Sequence, residues 1–384
     1  MAGVIECIAD NVVSPLGLTS RENWEAVKAG RSCLARYERM GNIQDPFVLS
    51  RMDRDQVDAA CISQDIPVTG YTFFEKLVLL SAVQAVRSSG IDASSDRVLF
   101  IVSTTKGNVS LLEAKQEGIP ENRVLLGVAA RTISGYFGNP NAPIVVCNAC
   151  ISGVCAQIEA LRALKSGRYD YVVVTGADEQ SPFIISGFLS FKAISSDPCR
   201  PFDKDRKGLN LGECAATVVL KASPSASAGS WVLECGAIRN DANHISGPSR
   251  TGEGSYLALM EVLRGCRKEE LAFVNVHGTA TLYNDEMESI ALQRAGLSDV
   301  PVCGLKGYYG HTMGPAGIME SILSMYAVMD HTVPATRGYA QSGVSCPVNV
   351  SDRNRTTGGT RFIKLLSGFG GCNAALLYSL NSEE

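Results

Sequence analysis

The sequence predicts an α/β protein of layered architecture, with parallel strands covered by helices on both faces and two halves of similar plan. Three observations carry that reading. Residues 144–147 form an apolar run that breaks into small residues, after which Val154, Ile158, Leu161 and Leu164 recur at helical spacing. A second apolar run, 171–175, follows Lys165 and Gly167, which read as helix stop signals. The plan then returns downstream, where strands at 273–276 and 302–305 alternate with helical patterns at 285–293 and 316–329.

Between the halves lies Ala222-Ser223-Pro224-Ser225-Ala226-Ser227-Ala228-Gly229-Ser230, a composition that suits a surface connector. It divides the chain into residues 1–225 and 226–384. In each half a strand delivers a reactive residue to a loop that opens a helix, and two such units packed face to face bring those loops together. Residues 31–70 carry short, mixed patterns and receive no firm element.

A chain of 384 residues buries a large core, and its 45% apolar and 19% charged residues are those of an ordinary globular protein. A net charge of −4 without a basic stripe argues against a nucleic-acid partner. No apolar run reaches membrane-spanning length, and the N-terminus lacks the pattern of a signal peptide. Thirteen cysteines at irregular spacing do not read as a disulfide framework, so the expected compartment is a reducing cytoplasm.

Cys150 stands at a tight strand-to-helix turn, where helical N–H groups and the helix dipole favour the thiolate. Many cysteines simply pack. Here a distant cluster, His277-Gly278-Thr279 and Lys306 to His311, supplies the partners a nucleophilic thiol needs. Each of these histidines borders an apolar strand and a glycine, which clears space for a ligand. Two neutral imidazoles beside a thiol suit stabilisation of an oxyanion or enolate as carbon dioxide leaves. Lys306 holds charge nearby, with Glu320 or Asp285 as its buried partner. His331 fits a surface role. Cys147 and Cys150 form a lone Cys-x-x-Cys without a second ligand pair, so no metal is expected. Gly368-Phe369-Gly370-Gly371 lacks the spacing of a dinucleotide loop.

Taken together, Ala-Cys150-x-Ser-Gly, His277-Gly-Thr-Ala-Thr, and Lys306-x-x-x-Gly-His311-x-x-Gly-x-Ala-Gly resemble the β-ketoacyl–acyl carrier protein synthases of the elongating, two-histidine type. Residues 200–206, 241–244, 368–371 and the start Val13-Ser14-Pro15-Leu16-Gly17 extend the match. The resemblance implies a thiolase-like fold layered α-β-α-β-α. It implies decarboxylative condensation of a Cys150-bound acyl chain with a malonyl thioester. Substrates ride on the phosphopantetheine of acyl carrier protein, and no cofactor is tightly bound. His277 and His311 would promote decarboxylation, with Lys306, Glu320 and Asp285 orienting them. Cys150, Phe369 and Gly370 would form the oxyanion hole and gate. Thr279, Thr281, Phe188, Lys106, Asp241 and His244 would line the acyl and phosphopantetheine channel. The partners implied are acyl carrier protein and a second copy or a ketosynthase paralogue in a dimer. Arg162, Lys165, Arg168, Lys204, Arg206 and Lys207 are candidates for receiving the acidic carrier.

Three features depart from the family pattern. Lys106 stands where an apolar pocket residue is usual, and either enters the pocket or reaches solvent. The segments 108–144 and 196–200 are short, and Asn148 replaces a threonine or serine. These suggest specialised polyene, aryl-lipid or polyketide assembly. Two other readings remain: a biosynthetic thiolase using Cys372 as base, and a non-catalytic chain-length partner of a ketosynthase.

Overall fold

The computed structural model describes residues 3–241 and 243–382. Eleven strands join into one sheet, and both halves thread it the same way. In chain order the first five strands are Val4–Val13, Val98–Ser103, Ile144–Val146, Tyr171–Asp178 and Cys214–Ser223. They stand side by side as third, second, fourth, fifth, first. Trp231–Asn240, Leu271–Asn275, Pro301–Cys303, Arg361–Gly368 and Cys372–Leu380 repeat that order, with Asn349–Val350 added beyond Pro301–Cys303. The two first strands meet through Glu6↔Val232 and Cys7↔Trp231.

The parallel expectation holds for only part of each half. The second, third and fourth strands run parallel, and the fifth is antiparallel to its neighbours. In the second half Arg361–Gly368 turns into Cys372–Leu380 through Phe369, Gly370 and Gly371, too few residues for a parallel crossover.

Helices form the layers between and outside the half-sheets. Ser152–Lys165 and Ala316–Met329 lie in the middle, each touching strands of both halves. That placement explains their sequences, which are apolar or small almost all round. Phe73–Ser89 covers the outer face of the first half; Glu253–Val262, backed by Leu282–Arg294, covers the second. The result is the α-β-α-β-α stack.

Small residues let the central helices meet. A Cβ on Gly153 would fall 2.7 Å from the Gly314 carbonyl, and one on Gly317 would fall 2.5 Å from the Val154 nitrogen. Gln157 seals the crossing by donating to the carbonyls of Gly153 and Gly317 at 2.9 and 3.0 Å. Because both helices cross near their N-termini, the loops that precede them converge. Those loops carry Cys150 and His311.

Residues 31–70 do form elements. Ala35–Tyr37 and Phe47–Ser50 make a small sheet with Leu211–Gly212, and Arg54–Ser63 is a helix. The seam at 222–230 is tied down, with Ser227 N–H on Glu6 at 2.7 Å and Gly229 N–H on the Asn381 carbonyl at 2.7 Å. The short segment after Asn108 holds two 3₁₀ turns, Val109–Leu112 and Glu121–Val124, and the helix Leu126–Tyr136.

Candidate active site

Cys150 follows Ala149, whose φ of +45° is strained for a residue with a Cβ. Ser152 holds the turn: its hydroxyl donates to the Ala149 carbonyl at 2.6 Å and accepts from Asn148 N–H at 2.7 Å. The thiol stands just before Ser152–Lys165, at the strand-to-helix turn the sequence predicts, but it is buried there and not held as a thiolate. Burial pushes it up to about 12, with Cys372 adding to the rise. Lys306, Lys106 and the Phe369 backbone N–H pull the other way without winning.

Two imidazoles face the sulfur. The ligand atoms of Cys150, His277 and His311 all lie within 4.8 Å of one another, and the rings meet edge to face at 5.0 Å. Glu288 fixes the loop that ends Leu271–Asn275, accepting from His277 and Gly278 N–H at 2.7 Å each. His311 is anchored by its own N–H on the Asn210 carbonyl at 2.6 Å. Met313 N–H donates to His311 Nδ1 at 3.3 Å, so in the neutral ring the proton sits on Nε2, which has no partner. Burial, then Lys306, lowers the proton affinity of both rings well below the ordinary histidine value. Both are therefore neutral donors. Lys306 itself donates to Glu320 Oε1 at 2.8 Å, with both groups buried.

Cys150 and Phe369 lie where two cavities meet. One, of about 900 Å³, is lined by Lys106, Glu113, Ile184, Phe188 and Met313. The other, of about 520 Å³, opens past His277, His311, Thr279, Thr281, Asp241 and His244. The Phe369 ring packs on Phe188 and Phe191 at 5.7 and 5.2 Å between centroids, closing the junction.

The family model for the β-ketoacyl synthase N-terminal domain matches residues 4–226, and that for its C-terminal domain matches residues 230–340. The chain belongs to the β-ketoacyl synthase family. It is a condensing acyltransferase, a 3-oxoacyl synthase. A 3-oxoacyl-[acyl-carrier-protein] synthase 2 of Vibrio cholerae is 28% identical over 360 residues, covering 85% of this chain and 86% of the relative. A putative polyketide β-ketoacyl synthase 1 of Streptomyces halstedii is 26% identical over 95% of each chain. A ketosynthase solved in complex with its chain length factor from Xenorhabdus doucetiae shares the fold, with a TM-score of 0.85, 23% identity and 98% of each chain covered.

Within the synthase, several residues stand apart from their expected places. Asp285 does not reach Lys306. Its carboxylate accepts from Phe202 N–H at 2.7 Å and Thr279 N–H at 3.1 Å and faces Arg206 at 3.9 Å, because the helix Leu282–Arg294 turns it toward the 200–206 loop. Gly370 N–H is engaged by the Ile245 carbonyl at 2.7 Å, which takes it out of the oxyanion hole. Its φ of +87° lies in the left-handed region that glycine adopts without strain. Asp241 ties the mouth together through its N–H on the Gly371 carbonyl at 2.9 Å. His244 is exposed, with Nδ1 spent on its own turn, and Ala242 of the same motif lies outside the described residues. Thr279 and Thr281 share a 2.9 Å hydrogen bond on the channel wall.

The basic candidates separate. Arg206 is buried, its guanidinium on the carbonyls of Asp203, Gly343 and Leu282. Arg162, Lys165 and Arg168 lie at or beyond the far end of Ser152–Lys165, about 20 Å from Cys150 by helical rise. Lys207 lines the mouth of the smaller cavity, together with Lys192, which the sequence reading did not pick out. Three buried groups were also missed. Asp178 binds Thr104, Thr105 and Gly314 N–H, locking the Lys106 loop to the His311 loop. Glu288 holds His277. Lys364 sits mid-strand in Phe362-Ile363-Lys364-Leu365-Leu366, and a charge inside an apolar run was the signal that could have found it.

Proposed function

We propose that the synthase carries an acyl chain as a thioester on Cys150 and condenses it with malonyl-acyl carrier protein. The junction of two cavities at one sulfur supports this reading above all. The acyl chain occupies the larger cavity, and the phosphopantetheine arm enters the smaller one past Thr279 and Thr281. In the first half-reaction the Cys150 sulfur attacks the acyl thioester, and the thiol proton passes by way of a neighbouring imidazole to the departing carrier sulfur, which leaves as a thiol while the ring returns to neutral. In the second, the bond between the malonyl carboxylate and its α-carbon breaks and carbon dioxide leaves. The electron pair becomes an enolate whose oxygen accepts from His277 and His311. The enolate carbon then attacks the Cys150 thioester, and the sulfur leaves as a thiolate that takes a proton from solvent.

The carrier docks at the mouth, near Lys192 and Lys207. The exposed Leu112, Leu125 and Phe183, beside the half-exposed edge strand Ile144–Val146, suit a second copy or a paralogue that closes the larger cavity. The chain functions as two halves, 1–225 and 226–384, and its free cysteines fit a reducing cytoplasm. Lys106 and Glu113 put charged groups in a mostly apolar wall, which favours oxygen-bearing acyl chains of a specialised pathway over plain alkyl ones.

Intact-mass analysis after mixing with acyl- and malonyl-carrier proteins tests the reading. Acylation of the wild type but not of Cys150→Ala, with product formed only from malonyl donors, is the expected result. Product from acetyl donors would make it a thiolase, and product formation unchanged in Cys150→Ala would make the chain a non-catalytic partner.

A further inference from the structure

Lys364 is fully buried, and its position is set by the parallel pairing Asn275↔Lys364. Its ammonium donates to Asn275 Oδ1 at 2.5 Å, to the Val276 carbonyl at 3.0 Å and to the Asn275 carbonyl at 3.2 Å. The next residue after these is His277. The same ammonium pairs with Glu320 Oε2 at 2.6 Å, while Glu320 Oε1 holds Lys306. Two ammonium groups thus share one carboxylate, and surplus positive charge stands behind the imidazole pair.

Below about pH 7, where Glu288 holds its proton, the surrounding groups do not cancel it. From the helix Leu282–Arg294, Glu288 is pushed up to about 7 by burial and by Asp285, and its oxygens are spent on backbone N–H groups. Asp285 is itself raised to about 6 by burial and faces Arg206. Cys303, on the neighbouring strand, is a neutral thiol, as is Cys150. Lys364 is drawn down to about 8, by burial first and against the pull of Glu320. After burial and Lys306, it is among the charges that disfavour protonation of His277 and His311.

We propose that Lys364 is a positioning residue for malonyl decarboxylation: it anchors the strand end that presents His277 and holds a second positive charge beside both imidazoles. Neutral rings donate their N–H groups to the enolate oxygen, and the surplus charge favours the negative oxygen they hold. The inference rests on the reading above, so its test includes a measurement independent of turnover.

The test compares wild type, Lys364→Met, Lys364→Arg and Asn275→Asp for decarboxylation of malonyl-carrier protein between pH 5 and 9. Removing the charge raises the proton affinity of both rings, so in Lys364→Met the acid limb moves up by about one pH unit, roughly a tenfold loss at its lower end. The fall appears in kcat and not in KM. Lys364→Arg keeps the acid limb where the wild type has it. Asn275→Asp gives Lys364 another carboxylate at nearly constant shape and moves the limb the same way as Lys364→Met, which keeps the question open to measurement if Lys364→Met does not fold. NMR titration of the imidazoles reads the same shift without substrate, and so stands even if malonyl thioesters prove not to be turned over. Superimposable pH profiles and unshifted imidazole titrations in the folded variants would overturn the proposal.

Discussion

At neutral pH a thiol pushed up to about 12 is protonated in almost every molecule, so Cys150 needs its neighbours to react. The helix N-terminus behind the sulfur suggests a thiolate; burial outweighs it, because removing a charge from water costs more than a helix dipole returns. Alkylation of Cys150 by iodoacetamide should therefore climb steadily from pH 7 to 10, and a plateau near pH 8.5 would contradict the buried thiol. Lys106 lines the larger cavity alongside Cys150, the cavity proposed for the acyl chain. Lys106→Ile should raise loading of saturated alkyl chains several-fold and lower that of oxygen-bearing chains. Identical loading profiles from a panel of acyl-carrier proteins would remove Lys106 from acyl selection. The cluster of Cys150, His277 and His311 was legible because reactive types at glycine-flanked strand ends are rare. Asp178, Glu288 and Lys364 were not read, because their partners lie far along the chain or are backbone groups.

Among elements, the crossing of Ser152–Lys165 with Ala316–Met329 decides whether the two reactive loops meet. A methyl group at Gly153 would press on the Gly314 carbonyl at 2.7 Å and the Gly317 nitrogen at 3.0 Å, and backbone cannot rotate away as a side chain can. Gly153→Ala should cost about 1–3 kcal/mol of stability and separate Cys150 from His311. Thermal unfolding reads the first effect and condensation rate the second; full activity with an unchanged melting temperature would show that the crossing has slack. Both helices were visible from their 3.6-residue periodicity. That they touch was not, since glycines also serve as turns and breakers. The small sheet of Ala35–Tyr37, Phe47–Ser50 and Leu211–Gly212 escaped notice because its strands are short and one partner lies far downstream.

Across the whole molecule, the strand Ile144–Val146 ends the sheet, and the exposed Phe183 lines the larger cavity. A partner surface there would finish both the sheet edge and the acyl pocket. Phe183→Glu should convert a dimer to monomer in sedimentation velocity and weaken loading of long acyl chains at least several-fold. A variant that stays dimeric would move the interface elsewhere.

By itself, the sequence determined the α/β class and the doubled plan and singled out Cys150, His277, His311 and Lys306 as candidates, because periodicity and residue chemistry are local properties. Tertiary structure alone decided which charges partner which: Glu320 serves two lysines, and Asp285 serves the 200–206 loop. Buried charge is settled by whichever group lies within hydrogen-bond reach, and that reach is a consequence of packing, not of spacing along the chain.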